Sequence, residues 1–103
     1  MAVTVRQAKK VREELEQALE YCGEYLAKSP DHAALGAQAN AFADRLRAID
    51  PQGKETDEAD PGLVGTLREA AQIGQSVLDQ TDAGRKLPRV RGYIEGAAKV
   101  LAA

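Results

Sequence analysis

Apolar positions along the chain recur at steps of three and four. Ala8, Val11, Leu15, Ala18, Cys22 and Tyr25 form one such series, widened by Leu19 and Leu26. Leu35, Ala39, Phe42, Leu46 and Ile49 form a second, and Leu63, Leu67, Ala70, Gly74 and Val77 a third. Leu87, Val90, Ile94, Ala97 and Leu101 form a fourth. This is the spacing of a helix that buries one stripe against its neighbours. No alternation of the kind a strand hairpin requires is present.

Helix starts fall where these series begin. Thr4-Val5-Arg6-Gln7 fits a capping box, in which the Thr4 hydroxyl and the Gln7 side chain each satisfy a free amide. Ser29-Pro30-Asp31 offers an N-cap, a proline whose missing N–H costs nothing in a first turn, and an acid at the positive helix end. Asp60-Pro61 repeats that device, and Leu87-Pro88 is a weaker form of it. The pattern predicts helices over residues 4–28, 30–49, 61–81 and 88–102, within one domain over 1–103. The fold class is all-α, an antiparallel up-down four-helix bundle with short turns near 28–30 and 82–87.

A shift of 52 residues superposes the halves, placing Val11, Leu15 and Ala18 on Leu63, Leu67 and Ala70, and Leu35, Phe42 and Ile49 on Leu87, Ile94 and Leu101. One reading is a pair of repeated helical hairpins; any two heptad-patterned hairpins also align in this way. Between the halves lies residues 50–60, with Pro51, Gly53 and four acids in the last six positions. That composition predicts a solvated acidic loop.

Composition limits the core. Of the 103 residues, 45 are apolar but 19 of those are Ala, which leaves 26 larger apolar side chains. A core of that size is modest, so a partner or a second copy is expected. With 14 basic and 16 acidic residues the net charge is −2, which drives the chain toward neither nucleic acid nor membrane. No apolar run reaches membrane-spanning length, and the first residues lack an apolar signal stretch, so a cytoplasmic location is expected. The Ala- and Arg-rich composition is compatible with a bacterial or phage origin.

Candidate chemistry is sparse. The single Cys22 precludes an internal disulfide and any multi-cysteine zinc site. It sits on the first apolar stripe with no cation one turn away, and so reads as a small buried hydrophobe. His32, with Gly36 four residues on, resembles the motif of histidine phosphotransfer domains, which are four-helix bundles of this size. That resemblance implies a phosphoacceptor role for His32, but Leu35 stands where the family has a lysine. The acidic pairs Glu13/Glu16 and Asp79/Asp82 resemble the magnesium motifs of all-α nucleotide pyrophosphohydrolases. The second helix carries only Asp31, Asp44 and Asp50, so a charged outer face explains the acids more simply, and no metal or cofactor is expected.

Two basic clusters break the neutral average. Arg6, Lys9, Lys10 and Arg12 crowd the start of the first helix, and Arg85, Lys86, Arg89 and Arg91 the start of the last. Cations at a positive helix end oppose the macrodipole, which suggests that they serve an anionic partner. For the first cluster the acidic loop is an internal alternative. Six glycines, Gly23, Gly36, Gly65, Gly74, Gly92 and Gly96, fall inside predicted helices, and each costs about 0.5–1 kcal/mol relative to Ala. Gly92 and Gly96 with Ala97 give the last helix a flat strip.

The expected function is a non-catalytic protein–protein interaction module of adaptor or inhibitor type, acting as a homodimer. Its partner-binding residues are Arg85, Lys86, Arg89, Arg91, Gly92, Tyr93 and Gly96. Nucleic-acid binding through the clusters at 6–12 and 85–91 is the alternative, and phosphotransfer through His32 a third reading.

Overall fold

A computed structural model describes residues 2–102. Among these described residues five α-helices and one 3-10 turn pack together: α1 (Val5–Leu26), the 3-10 turn (Pro30–His32), α2 (Ala33–Arg47), α3 (Pro61–Gln80), α4 (Ala83–Lys86) and α5 (Pro88–Ala102). Among the described residues there is no β-strand, only an isolated bridge between Thr4 and Glu58. The chain is all-helical, as the spacing predicts. The single turn of α4 lies inside the segment expected to be a plain connection.

Local signals place most helix starts. The Gln7 amide donates to the Thr4 hydroxyl (3.2 Å) and the Thr4 amide to Gln7 Oε1 (2.9 Å), completing the capping box. Asp60 accepts from the Leu63 amide at 3.1 Å, with Pro61 in the first turn of α3. Ser29 departs from expectation. It makes no side-chain cap bond; residues 30–32 wind as a 3-10 turn, and His32 is the N-cap of α2. Leu87 separates α4 from α5 at φ −125°, ψ 73°. A residue before proline is pushed off the helical region, so the break at Leu87 follows from Pro88.

Helix α1 is the hub and packs on α2, α3, α4 and α5. Its predicted stripe is buried apart from Tyr25, which is half-buried. Helix α2 differs. It turns Gly36, Ala39, Ala43 and Leu46 inward and leaves Leu35, Phe42 and Ile49 half-buried. Small residues on that face bring the backbones together: a Cβ at Gly36 would stand 2.8 Å from Leu26 Cβ. At the other end of the pair Arg12 donates to the Leu46 carbonyl (3.3 Å), so α1 and α2 run in opposite directions.

The second half repeats the device with different residues. Arg68 near the start of α3 donates through Nε and Nη2 to the Leu101 carbonyl at the end of α5 (3.2 and 3.0 Å). Midway, Gly74 lets Ile94 approach, because a Cβ there would lie 2.9 Å from two Ile94 carbons. Arg68 thereby supplies donors to a carbonyl in the last turn of α5, and Arg12 adds one to the Leu46 carbonyl, which also accepts from the Ile49 amide (3.0 Å).

Residues 50–60 form a strap rather than a free loop. The Val5 amide donates to the Asp57 carbonyl (2.8 Å), the Arg6 amide to the Glu55 carbonyl (3.1 Å) and the Ala59 amide to the Val3 carbonyl (2.8 Å). The first two of these satisfy exposed amides of α1. Asp57 fixes the turn by accepting from the Lys54 amide at 3.0 Å, and Gly53 takes φ 108°, a conformation that favours glycine. Pro51 and Ala59 are buried; the acidic side chains remain in solvent, as their composition predicts.

Candidate partner-binding corner

Three segments meet at the end of the molecule opposite the strap: the last turns of α1, the turn leading into α2, and residues 82–87. Helix α1 contributes Tyr21 and Tyr25, one turn apart and therefore on one face. The turn brings Lys28, Ser29 and His32, and the third segment brings Asp82 and Leu87. Together with Glu24 and Leu26 they enclose a cleft of about 640 Å³.

Hydrogen bonds fix one wall of the cleft. Tyr25 donates its phenolic hydrogen to Asp82 Oδ1 at 2.8 Å, and Asp82 Oδ2 faces Arg85 at 3.9 Å. The bond to Asp82 raises the Tyr25 pKa above its ordinary 10.0; burial and the Asp82 charge add to this, and Arg85 opposes it. Thr81 prepares the turn: its hydroxyl donates to the Val77 carbonyl (2.7 Å) and accepts from the Ala83 amide (3.1 Å). Tyr21 makes the open wall. It is 48% exposed and is the only large apolar side chain exposed among the described residues.

The cluster at 85–91 divides between structural and free cations. Arg91 pairs with Glu95 at 3.3 Å and lies over Gly84, where a Cβ would come within 2.8 Å of its Nη2. Arg85 is 78% exposed and, among the described residues, pairs only with Asp82. Lys86 and Arg89 are exposed and make no ion pair within 4.0 Å among the described residues. Gly92 and Gly96 are exposed, and a Cβ at either would meet nothing within 4 Å. Their strip therefore takes no part in packing this chain on itself. Tyr93 is half-buried against the core and Ala97 is buried.

The first cluster is differently employed. Arg12 turns inward, pairing with Glu16 at 2.9 Å, which removes it from the surface group. Arg6, Lys9 and Lys10 are exposed. They stand where the acidic strap crosses the start of α1, a helix with no acid of its own in the first turn. The strap places negative charge where the macrodipole calls for it.

His32 is half-buried and lines the cleft. Gly36, one turn beyond, is occupied by contact with Leu26 of α1. Cys22 is fully buried, and burial pushes its thiol up to about 11 from 9.0. Among the described residues no three His, Cys, Asp or Glu side chains are grouped as metal ligands, and no helix is long and apolar enough to cross a membrane.

The cleft itself escapes a reading of the basic cluster alone. Tyr25 and Asp82 lie 57 residues apart, and only the four-residue spacing on α1 marks Tyr21 and Tyr25 as a pair. No protein-family model, curated protein or solved structure matches this chain.

Proposed function

We propose that this chain is a non-catalytic helical interaction module, of adaptor or inhibitor type, that docks a protein partner at the α4–α5 corner. The observation carrying this reading is the pair of exposed cations Lys86 and Arg89, without ion pairs among the described residues, on either side in the chain of Leu87, which lines the cleft together with the exposed Tyr21. Arg89 stands in the first turn of α5, where the macrodipole opposes a cation, and an acidic partner surface offsets that cost. Arg85 and Lys86, expected at the start of the last helix, instead close the last turn of α4, and Lys86 adds a second unpaired charge. The buried, protonated thiol of Cys22 and the packed Gly36 beside His32 favour binding over nucleophilic chemistry or phosphotransfer.

The four long helices are read as an antiparallel up-down bundle made of two hairpins. The Arg12–Leu46 and Arg68–Leu101 contacts support this, as does the Arg45–Glu69 pair (3.8 Å) between α2 and α3. The open Gly92/Gly96 strip is the face offered to a second copy, giving a homodimer in the cytoplasm. Nucleic acid would use the same cations.

The test is a comparison of the native chain with Lys86→Glu/Arg89→Glu as bait in host extract, alongside titration with duplex DNA over a range of salt. A protein lost from the charge-reversed bait, with no measurable DNA binding, supports the module. DNA binding that weakens steeply with salt, as counterion release requires, replaces it with the nucleic-acid reading.

A further inference from the structure

We infer that the cleft between the end of α1 and α4 receives one bulky apolar side chain from the partner, whose flanking residues are acidic. This rests on the interaction-module reading and specifies what the module holds.

The size is suited to that task. At about 640 Å³ the open cleft has room for a large aromatic or aliphatic side chain together with the stretch of backbone that carries it. Its apolar walls are the rings of Tyr21 and Tyr25 and the side chain of Leu87. Two of the three are held in advance: Tyr25 by Asp82, and Leu87 by packing against the core. Pre-set walls lower the ordering cost of an incoming group. Tyr21 leaves an aromatic face in water, and tyrosine is a residue type favoured at the centre of binding hot spots.

Charge decides the rest of the ligand. Inside the cleft stand Glu24 and Asp82 with one cation, Lys28, whereas Arg85, Lys86 and Arg89 lie outside, on either side of Leu87. Asp82 is already engaged by Tyr25 and Arg85. A phosphodiester strand carries charge at every unit and would bring phosphates against the two carboxylates. A peptide separates the two requirements, with an apolar side chain inside and acids opposite Lys86 and Arg89.

The experiment selects from a random linear-peptide display library on the full chain, with duplex DNA as a parallel ligand. Enriched peptides should join one Phe, Leu or Trp to several acids. Their affinity, read by fluorescence anisotropy, should fall about tenfold or more for Tyr21→Ser. Amide shifts should cluster at Tyr21, Tyr25 and Leu87. Tyr21 is exposed, so Tyr21→Ser keeps the helical spectrum, and Leu87→Ala provides a second probe of the same wall. Enriched peptides that lack an apolar residue, or that ignore both variants, overturn the cleft. If those peptides still need Lys86 and Arg89, the interaction module survives without it. No enrichment also overturns the cleft, and no enrichment together with salt-sensitive DNA binding overturns both.

Discussion

Tyr25 and Asp82, 57 residues apart, are joined by a 2.8 Å hydrogen bond that ties the end of α1 to the turn entering α4. The phenol is the donor, so the bond exists only while Tyr25 is protonated. Its pKa is raised above 10.0, with the Asp82 bond as the first cause.

Alkaline stability follows from that sign. Cys22 behaves in the same way, its thiol being pushed up to about 11 from 9.0 by burial. A group whose folded pKa is raised contributes its full stabilisation below the ordinary value and loses it as pH climbs through the folded value. Melting temperature should therefore hold up to about pH 9 and fall above it. The Cys22 share is about 2–3 kcal/mol for a shift of this size. Cys22→Ala should flatten the decline, and Tyr25→Phe should remove the part above pH 10. A melting temperature unchanged to pH 11 would show that neither group is protected.

Glycines on the two faces of the helices should respond in opposite directions. Gly74→Ala forces a Cβ against Ile94, which is fully buried and β-branched, and should cost about 1–3 kcal/mol. Gly65→Ala, on the exposed face of α3, adds a Cβ in open space and should stabilise by about 0.5–1 kcal/mol through helix propensity. Urea unfolding of the two variants checks both signs.

The glycines also show what a sequence conveys and what it withholds. Periodicity identifies helices, and the proline and Thr4 signals locate their starts, because those effects act within one turn. Which glycine is packed depends on which helices cross there. Gly36 and Gly96 each sit one turn from a polar or charged residue, yet only Gly36 is buried. Leu35, Phe42 and Ile49 mislead for the same reason: they keep helical spacing but flank a buried face of smaller residues. The basic clusters were visible by type, whereas the inward turn of Arg12 and the Tyr25–Asp82 tie needed the tertiary arrangement.

The strap is a structural part of α1. Asp57→Ala removes the acceptor for the Lys54 amide and loosens the carbonyl that holds the Val5 amide. The loss should be about 0.5–1.5 kcal/mol, as for an ordinary hydrogen bond. Hydrogen exchange should quicken at Val5 and Arg6 and remain unchanged at Leu67. Equal protection in variant and native chain would return residues 50–60 to the status of a free linker.

Replacement of the lone histidine separates binding from phosphotransfer. His32→Gln should change stability by no more than about 0.5 kcal/mol, since the side chain is half-buried and makes no side-chain cap bond. Partner binding is measured separately, because His32 also lines the cleft. Incubation with a phosphorylated receiver domain should leave the native chain unlabelled; a label on the native chain that His32→Gln abolishes would establish the phosphoacceptor instead.

Self-association is expected on the opposite grounds from most dimer arguments, from what the chain leaves unused. Arg89, Gly92 and Gly96 follow at steps of three and four, so they share one face of α5. Neither glycine supports packing within the chain, yet each costs helix stability. A second helix laid on this strip gains close backbone contact, and a twofold arrangement presents the same strip from both copies. Light scattering at micromolar concentration should give twice the 11.0 kDa chain mass. Gly96→Leu inserts bulk at the contact and should shift the mass to that of the single chain. A Cβ at Gly96 meets nothing within 4 Å and the position is exposed, so the helical spectrum of the variant should be intact. Native protein that remains at 11.0 kDa at high concentration would remove the dimer and leave the strip as uncovered surface.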